Sequence, residues 1–277
     1  MVGGEYPNLR VMNQWTWHSR LYRAADYVTR HPHLELVELN SFGCGLDAVV
    51  TDQVQEIMHQ RGRLYTCLKI DQSLNLGAVR IRLRSLKAAI EERGEETGSA
   101  KPIEYPKAVF TEAMKRDKDY TILAPEMSPI HFPIIEAAVQ REGYHIEIIS
   151  PIHEDIDKGL SCVNNDACYP AIITIGSLMR ALTSGKYDLS KTAVMLSQTG
   201  GMCRASNYVG FLHKALDEAG LSDIPVISLN THGFEPQPGF HFSLSMGRRM
   251  IQAVIYGDAL QQCLYRTRPY DKAPGRA

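Results

Sequence analysis

A parallel α/β fold is what this sequence predicts, and three observations predict it. Short apolar runs with strand character alternate with longer segments whose apolar residues recur at helical spacing. Gly, Asn, Asp and Pro punctuate the junctions between them. The chain, 277 residues long and 44% hydrophobic, can bury one large core or two modest ones. Strand and helix in alternation build a largely parallel sheet with right-handed crossovers.

Taken in order, an amphipathic helix is expected over about 14–30, then a strand in HLELVELN (33–40) and a helix in LDAVVTDQVQEIMHQR (46–61). LYTCLKID (64–71) reads as a second strand and AVRIRLRSLKAAIEER (78–93) as a second long helix. A polar connector, GEETGSAKPIEYPK (94–107), is the one plausible internal boundary, so a partial α/β lobe is placed at 1–100 and a larger α/β domain at 101–277. Beyond it come strand DYTILAP, helix HFPIIEAAVQREG with a C-cap glycine, and strand YHIEIIS. The loop holding NNDACYP leads into helix AIITIGSLMRALTSG. Strand TAVMLSQ, helix CRASNYVGFLHKALDEAG, strand IPVISLN and a last helix over about 243–264 complete the chain.

A formal net charge of −1, with Lys and Arg scattered, argues against nucleic acid or anionic lipid as a partner. No stretch approaches the roughly 20 apolar residues that cross a bilayer, and MVGGEYPNLRVMNQ carries no apolar signal region. A soluble, cytoplasmic protein without a membrane partner is expected. Six cysteines in such a chain are expected to be reduced thiols.

Those cysteines fall into two kinds of neighbourhood. Cys67 (LYTCLKI) and Cys263 (ALQQCLYR) lie in apolar runs and are expected to be small buried hydrophobes. Cys44 (SFGCGLD), Cys168 (NNDACYP) and Cys203 (TGGMCRAS) lie in loops that precede helices, with strands before Cys44 and Cys203. Ligands of open α/β sheets collect at the carboxyl edge of the strands, where helix N-termini also point, and all three thiols are expected there. A helix N-terminus favours the thiolate, the form that binds metal or attacks an electrophile. Gly43, Gly45, Gly200 and Gly201 let backbone N–H groups approach whatever the sulfur holds. The absence of a Cys-x-x-Cys pair argues against structural zinc and a redox dithiol. An iron–sulfur cluster on dispersed thiolates, one cysteine nucleophile with a His partner, and no chemistry at all stay open at this point.

Three runs resemble a known family. GLSCVNNDACYPAI, AVMLSQTGGMCRASNYVGFLHKAL, and SFGCGLDAV followed by LKIDQSLNLGAVRIRLRSLKAA are similar to the C-terminal, dehydratase-like part of the large activase-type proteins related to 2-hydroxyacyl-CoA dehydratases. The likeness runs from about Leu34 to beyond Asn230 and includes ILAPEMSPIHF. It implies paired flavodoxin-like lobes with helices on both sheet faces. It also implies a [4Fe-4S] or double-cubane cluster and low-potential electrons delivered by an ATP-hydrolysing, actin-like activator. Carried over by motif, Cys168 and Cys203 match the family's cysteines best and Cys44 is the natural third; no catalytic residue is assigned. Cys162 departs from the pattern.

The chain has neither a P-loop nor an acidic, glycine-rich nucleotide site of the activator kind, so no ATPase activity of its own is expected. An enzyme of this type would be a dehydratase-like or reductase component acting on a small molecule or an acyl-CoA. A homodimer, or a complex with the ATPase, is the expected assembly. The alternatives are a non-catalytic scaffold that docks an activator, and a cysteine-nucleophile transferase. Several neighbours have blander uses: Asn164, Asn165 and Asp166 as turn formers or N-caps, Ser206 and Asn207 likewise, and Arg204 as a solvent-facing charge. Arg80, Arg82 and Arg84 read as a solvated face, and His131 as a hydrogen-bonded structural imidazole.

Overall fold

The apolar alternation resolves into nine α-helices and six strands among the described residues of a computed structural model. These are all residues except 1–6, 41–44, 71–75, 94–101, 199, 202, 231–236, 274 and 277. The first elements are α1 Thr16–Thr29, β1 Val37–Asn40, α2 Gly45–Gln60, β2 Thr66–Lys69 and α3 Leu76–Arg93. Then follow α4 Glu112–Arg116, β3 Thr121–Pro125, α5 His131–Gln140, β4 Ile146–Ile149, α6 Glu154–Leu160 and α7 Tyr169–Thr183. The last are β5 Thr192–Gln198, α8 Tyr208–Glu218, β6 Val226–Asn230 and α9 Leu244–Thr267. The short helices α4 and α6 have too few turns to leave a periodic signal; α4 is capped by Thr111, whose side chain accepts from Met114 N.

All strand pairs are parallel. β1 pairs with β2, with Glu38 opposite Cys67. The second sheet has the order β4-β3-β5-β6, which counted within the sheet is 2-1-3-4, the flavodoxin-like sequence of strands. The protein is thus an α/β protein with parallel sheets of flavodoxin-like type.

The chain divides into two compact units. One comprises Met1–Pro106, Val163–Ile172 and Thr199–Lys214; the other comprises Lys107–Cys162, Ile173–Gln198 and Ala215–Ala277. In the first, Tyr22 and Ala25 of α1 pack with Val54, Ile57 and Met58 of α2 and with Ile103. In the second, Ile122 and Ala124 of β3, Ile146 of β4, Met195 of β5 and Ile227 of β6 form one sheet face, under Val139 of α5 and Met246 of α9. Leu123, Val194 and Leu196, on the alternate positions, are equally buried, as a sheet covered on both faces requires. α7 runs past α6 at Gly176, where a Cβ would stand 1.9 Å from the Asp155 carbonyl oxygen, so only glycine fits. α5 ends as its sequence indicates, with Gly143 at φ 85°.

Two expectations change. Cys263 is exposed on α9 instead of buried, because the packed face of that helix is carried by Met246, Ala253 and Gly257. Cys67 is half-buried, since the two-stranded sheet leaves β2 incompletely covered. No helix of the described residues is long and apolar enough to cross a membrane.

Candidate functional site

Cys168 and Cys203 occupy the same kind of position. The Cys168 carbonyl accepts from Ala171 N at 2.8 Å and from Ile172 N at 3.2 Å, which makes Cys168 the residue that opens α7. Cys203 has extended backbone angles, φ −75° and ψ 140°, and opens a 3-10 turn, Arg204–Asn207, that runs into α8. Each cysteine therefore stands at the start, the positive end, of a helical segment. Cys168 is half-buried and Cys203 is exposed. Both belong to the first unit. Cys44 lies outside the described residues.

The turn before Cys203 is built to hold that position. Gly200 has φ 67°, a left-handed conformation that favours glycine. The Gly201 carbonyl accepts from Ser206 Oγ at 2.9 Å and from Gln14 Nε2 at 2.6 Å. Asn207, fully buried, accepts from Met12 N at 2.8 Å through Oδ1. Ser206 and Asn207 are thus braces of the loop. In the other loop Asn164 Oδ1 accepts from Asp166 N at 2.9 Å, a side-chain-closed turn, and Asp166 forms an ion pair with Lys69. Arg204 is half-buried and not solvent-facing as expected.

Tyr208 links the two loops. Its Oη lies 2.8 Å from Cys168 Sγ. Burial pushes the phenol up from its usual value, and the Cys168 hydrogen bond and the charges of Cys168 and Cys203 push the same way, with Arg204 opposing. Tyr208 therefore keeps its proton at neutral pH and can donate it to the sulfur. Among the described residues no group of three His, Cys, Asp or Glu side chains is placed to hold a metal ion. The described donor set is two thiols, each opening a helical segment, with a phenol hydrogen-bonded to one of them.

Two features escape the sequence. Glu38 and Asn40 of β1 point inward while Leu39 is exposed, the reverse of an ordinary half-buried strand. Glu38 accepts from Tyr65 Oη at 2.9 Å and from Thr51 Oγ1 at 3.0 Å, and Thr51 Oγ1 accepts from Asn40 Nδ2 at 3.1 Å. Burial raises the Glu38 carboxyl above its usual range despite these donors, and burial raises the nearby Cys67 thiol as well. The polar Glu38 and Asn40, two places apart on either side of Leu39 in HLELVELN, were the available signal. The second feature is a cavity of about 210 Å³ in the other unit. Ala124, Ile148 and Met195 floor it, α5 and α9 wall it with Ile135 and Met250, and Met127 and Ser197 mark its edge at the carboxyl ends of β3 and β5. A ligand there would be apolar, at the strand-order switch point where flavodoxin-like sheets bind theirs.

The other sequence-marked residues have structural roles. His131 Nδ1 lies 2.8 Å from Ser128 Oγ and Nε2 lies 3.0 Å from Asp258 Oδ1, so both ring nitrogens are engaged at the start of α5. Arg82 Nη1 donates to the Cys67 carbonyl at 2.8 Å, and Arg80 and Arg84 are exposed. Cys162 follows α6 in the second unit, with Sγ 3.6 Å from Ser161 Oγ.

Fold and site together define a parallel α/β protein with two helix-opening thiols. No family model matches the chain, and comparisons with curated proteins and with solved structures also gave no match.

Proposed function

We propose that this chain is an iron–sulfur protein of the 2-hydroxyacyl-CoA dehydratase and activase type. In this reading it is a cytoplasmic component that passes low-potential electrons to a small molecule or an acyl-CoA after reduction by an ATP-dependent activator. One observation carries the reading. Cys168 and Cys203, far apart in sequence, open two helical segments of one compact unit, and the charges of both bear on the same phenol, Tyr208. The motif resemblance described above points the same way.

The donor chemistry fits the group. Cys168 and Cys203 would hold it, with Cys44 as the third thiolate. When bound, such a cluster supplies single electrons at low potential. The chain's own residues set the conditions. The protonated Tyr208 Oη donates to Cys168 Sγ and withdraws electron density from that ligand, a lever that raises a cluster's potential. Arg204 adds positive charge near Tyr208.

The test is iron and acid-labile sulfide content, with visible and EPR spectra, on anaerobically prepared protein beside Cys168→Ala and Cys203→Ala. About four irons and four sulfides per chain or per dimer, lost in both variants, are expected. Iron-free protein that also resists anaerobic reconstitution overturns the reading. The exposed apolar face of α9 would then favour a docking module that keeps the fold without the cluster.

A further inference from the structure

α9 has two apolar faces. Its buried side chains, Met246, Ala253 and Gly257, share the face that packs on α5 and the sheet, and partly buried Met250 joins them. At about 100° per residue, Leu244, Ile251 and Ile255 lie on the opposite side, about 160–200° from Ala253. They are 92%, 64% and 64% exposed, and Val254 and Tyr265 beside them are also exposed. A surface helix ordinarily turns a polar face to water. Five large apolar side chains in one stripe expose several hundred Å², on the order of the ~800 Å² one partner contributes to a standard interface.

The order of residues along the stripe identifies the partner. Positions 244, 248, 251, 255, 258 and 262 recur at alternating spacings of four and three, the seam of a helix pair, and read Leu, Arg, Ile, Ile, Asp, Gln. Laid antiparallel on a second copy of itself about residue 253, this seam sets Ile251 against the second copy's Ile255. The same two-fold sets Arg248 against the second copy's Asp258, and Leu244 against its Gln262. A parallel pairing would instead stack Arg248 on Arg248 and Asp258 on Asp258. Arg248 is exposed, and the Asp258 side chain is 63% exposed, holding His131 through Oδ1 with its second oxygen left over. We propose that α9 is a self-association surface, pairing two copies of the chain about a two-fold axis through an antiparallel α9–α9 contact. Such an interface is isologous, so every attractive pair occurs twice. The proposal does not depend on the cluster.

Analytical ultracentrifugation of the full chain tests it, over a micromolar concentration series. The unaltered protein is expected to dimerise, and Ile251→Glu to be monomeric yet to melt as the unaltered chain does once that chain is diluted to a monomer, because the side chain is exposed. Arg248→Asp and Asp258→Arg each place like charges across the axis twice, and each is expected to weaken self-association at least ~10-fold. Mixing these two variants restores both oppositely charged pairs, so a heterodimer is expected between chains that no longer pair with themselves. A melting curve on Asp258→Arg, taken beside the unaltered chain at concentrations where both are monomeric, separates loss of the His131 bond from loss of the interface. A monomeric unaltered chain, a dimer indifferent to Ile251→Glu, or charge variants that fail to pair on mixing would each overturn the proposal.

Discussion

Glu38 is a carboxyl whose burial works against its charge. Tyr65 and Thr51 donate to it, yet desolvation dominates and raises its pKa. A carboxyl raised on folding contributes stability that is fully present below its unfolded pKa and lost as pH rises through the folded one. Glu38→Gln keeps an acceptor and never ionises. It is expected to melt no lower than the unaltered protein at neutral pH, with any advantage vanishing as pH falls below about 4; thermal melts across that range check it. At this scale the thiols were legible, because Gly, Asn and Pro around Cys168 and Cys203 announce loops at helix starts. Tyr208 was not legible as a partner of Cys168. The two lie 40 residues apart and meet only through tertiary packing.

Between elements, the α5–α9 contact turns on one missing methyl. A Cβ on Gly257 would stand 2.4 Å from His131 Cδ2, so the ring could not keep its bonds to Ser128 and Asp258. Gly257→Ala is expected to destabilise by roughly 1–3 kcal/mol, the usual cost of overpacking. In His131→Ala the same substitution should cost much less, a non-additivity that a double-mutant cycle in urea would measure. Helices and strands with several turns or clean alternation were predictable in place and type. α3 shows the limit. Its alternating RIRLR is a helix with no buried residue, and nothing local told which side, if any, it would bury. α9 shows the same limit from the other side: its two apolar faces read in sequence as a single amphipathic pattern, and only packing divides them.

For the whole molecule, buried phenols give the response to alkali. Tyr22, Tyr65, Tyr105 and Tyr208, all in the first unit, are raised from the usual value of 10.0, with burial the largest cause for each. Their contribution to stability is fully present below pH 10 and is lost as pH rises past it, because the unfolded chain releases those protons first. The melting temperature is expected to hold steady up to about pH 9 and to fall above about pH 10. Of the 13 tyrosines, at least these four should gain phenolate absorbance only together with loss of circular dichroism. Phenolate formation by all 13 with the fold intact would contradict the burial argument.

The sequence by itself determined the class of fold, the order of its strands and longer helices, and the loops that carry the thiols. Those features follow from hydrophobic period and turn chemistry, which act over a few residues. The tertiary structure decided the strand order β4-β3-β5-β6 and the gathering of 163–172 and 199–214 with the first unit. It also decided the closure of Tyr208 on Cys168 and the face of α9 left in water. These depend on which distant surfaces bury one another, a free energy shared among residues that no local spacing records.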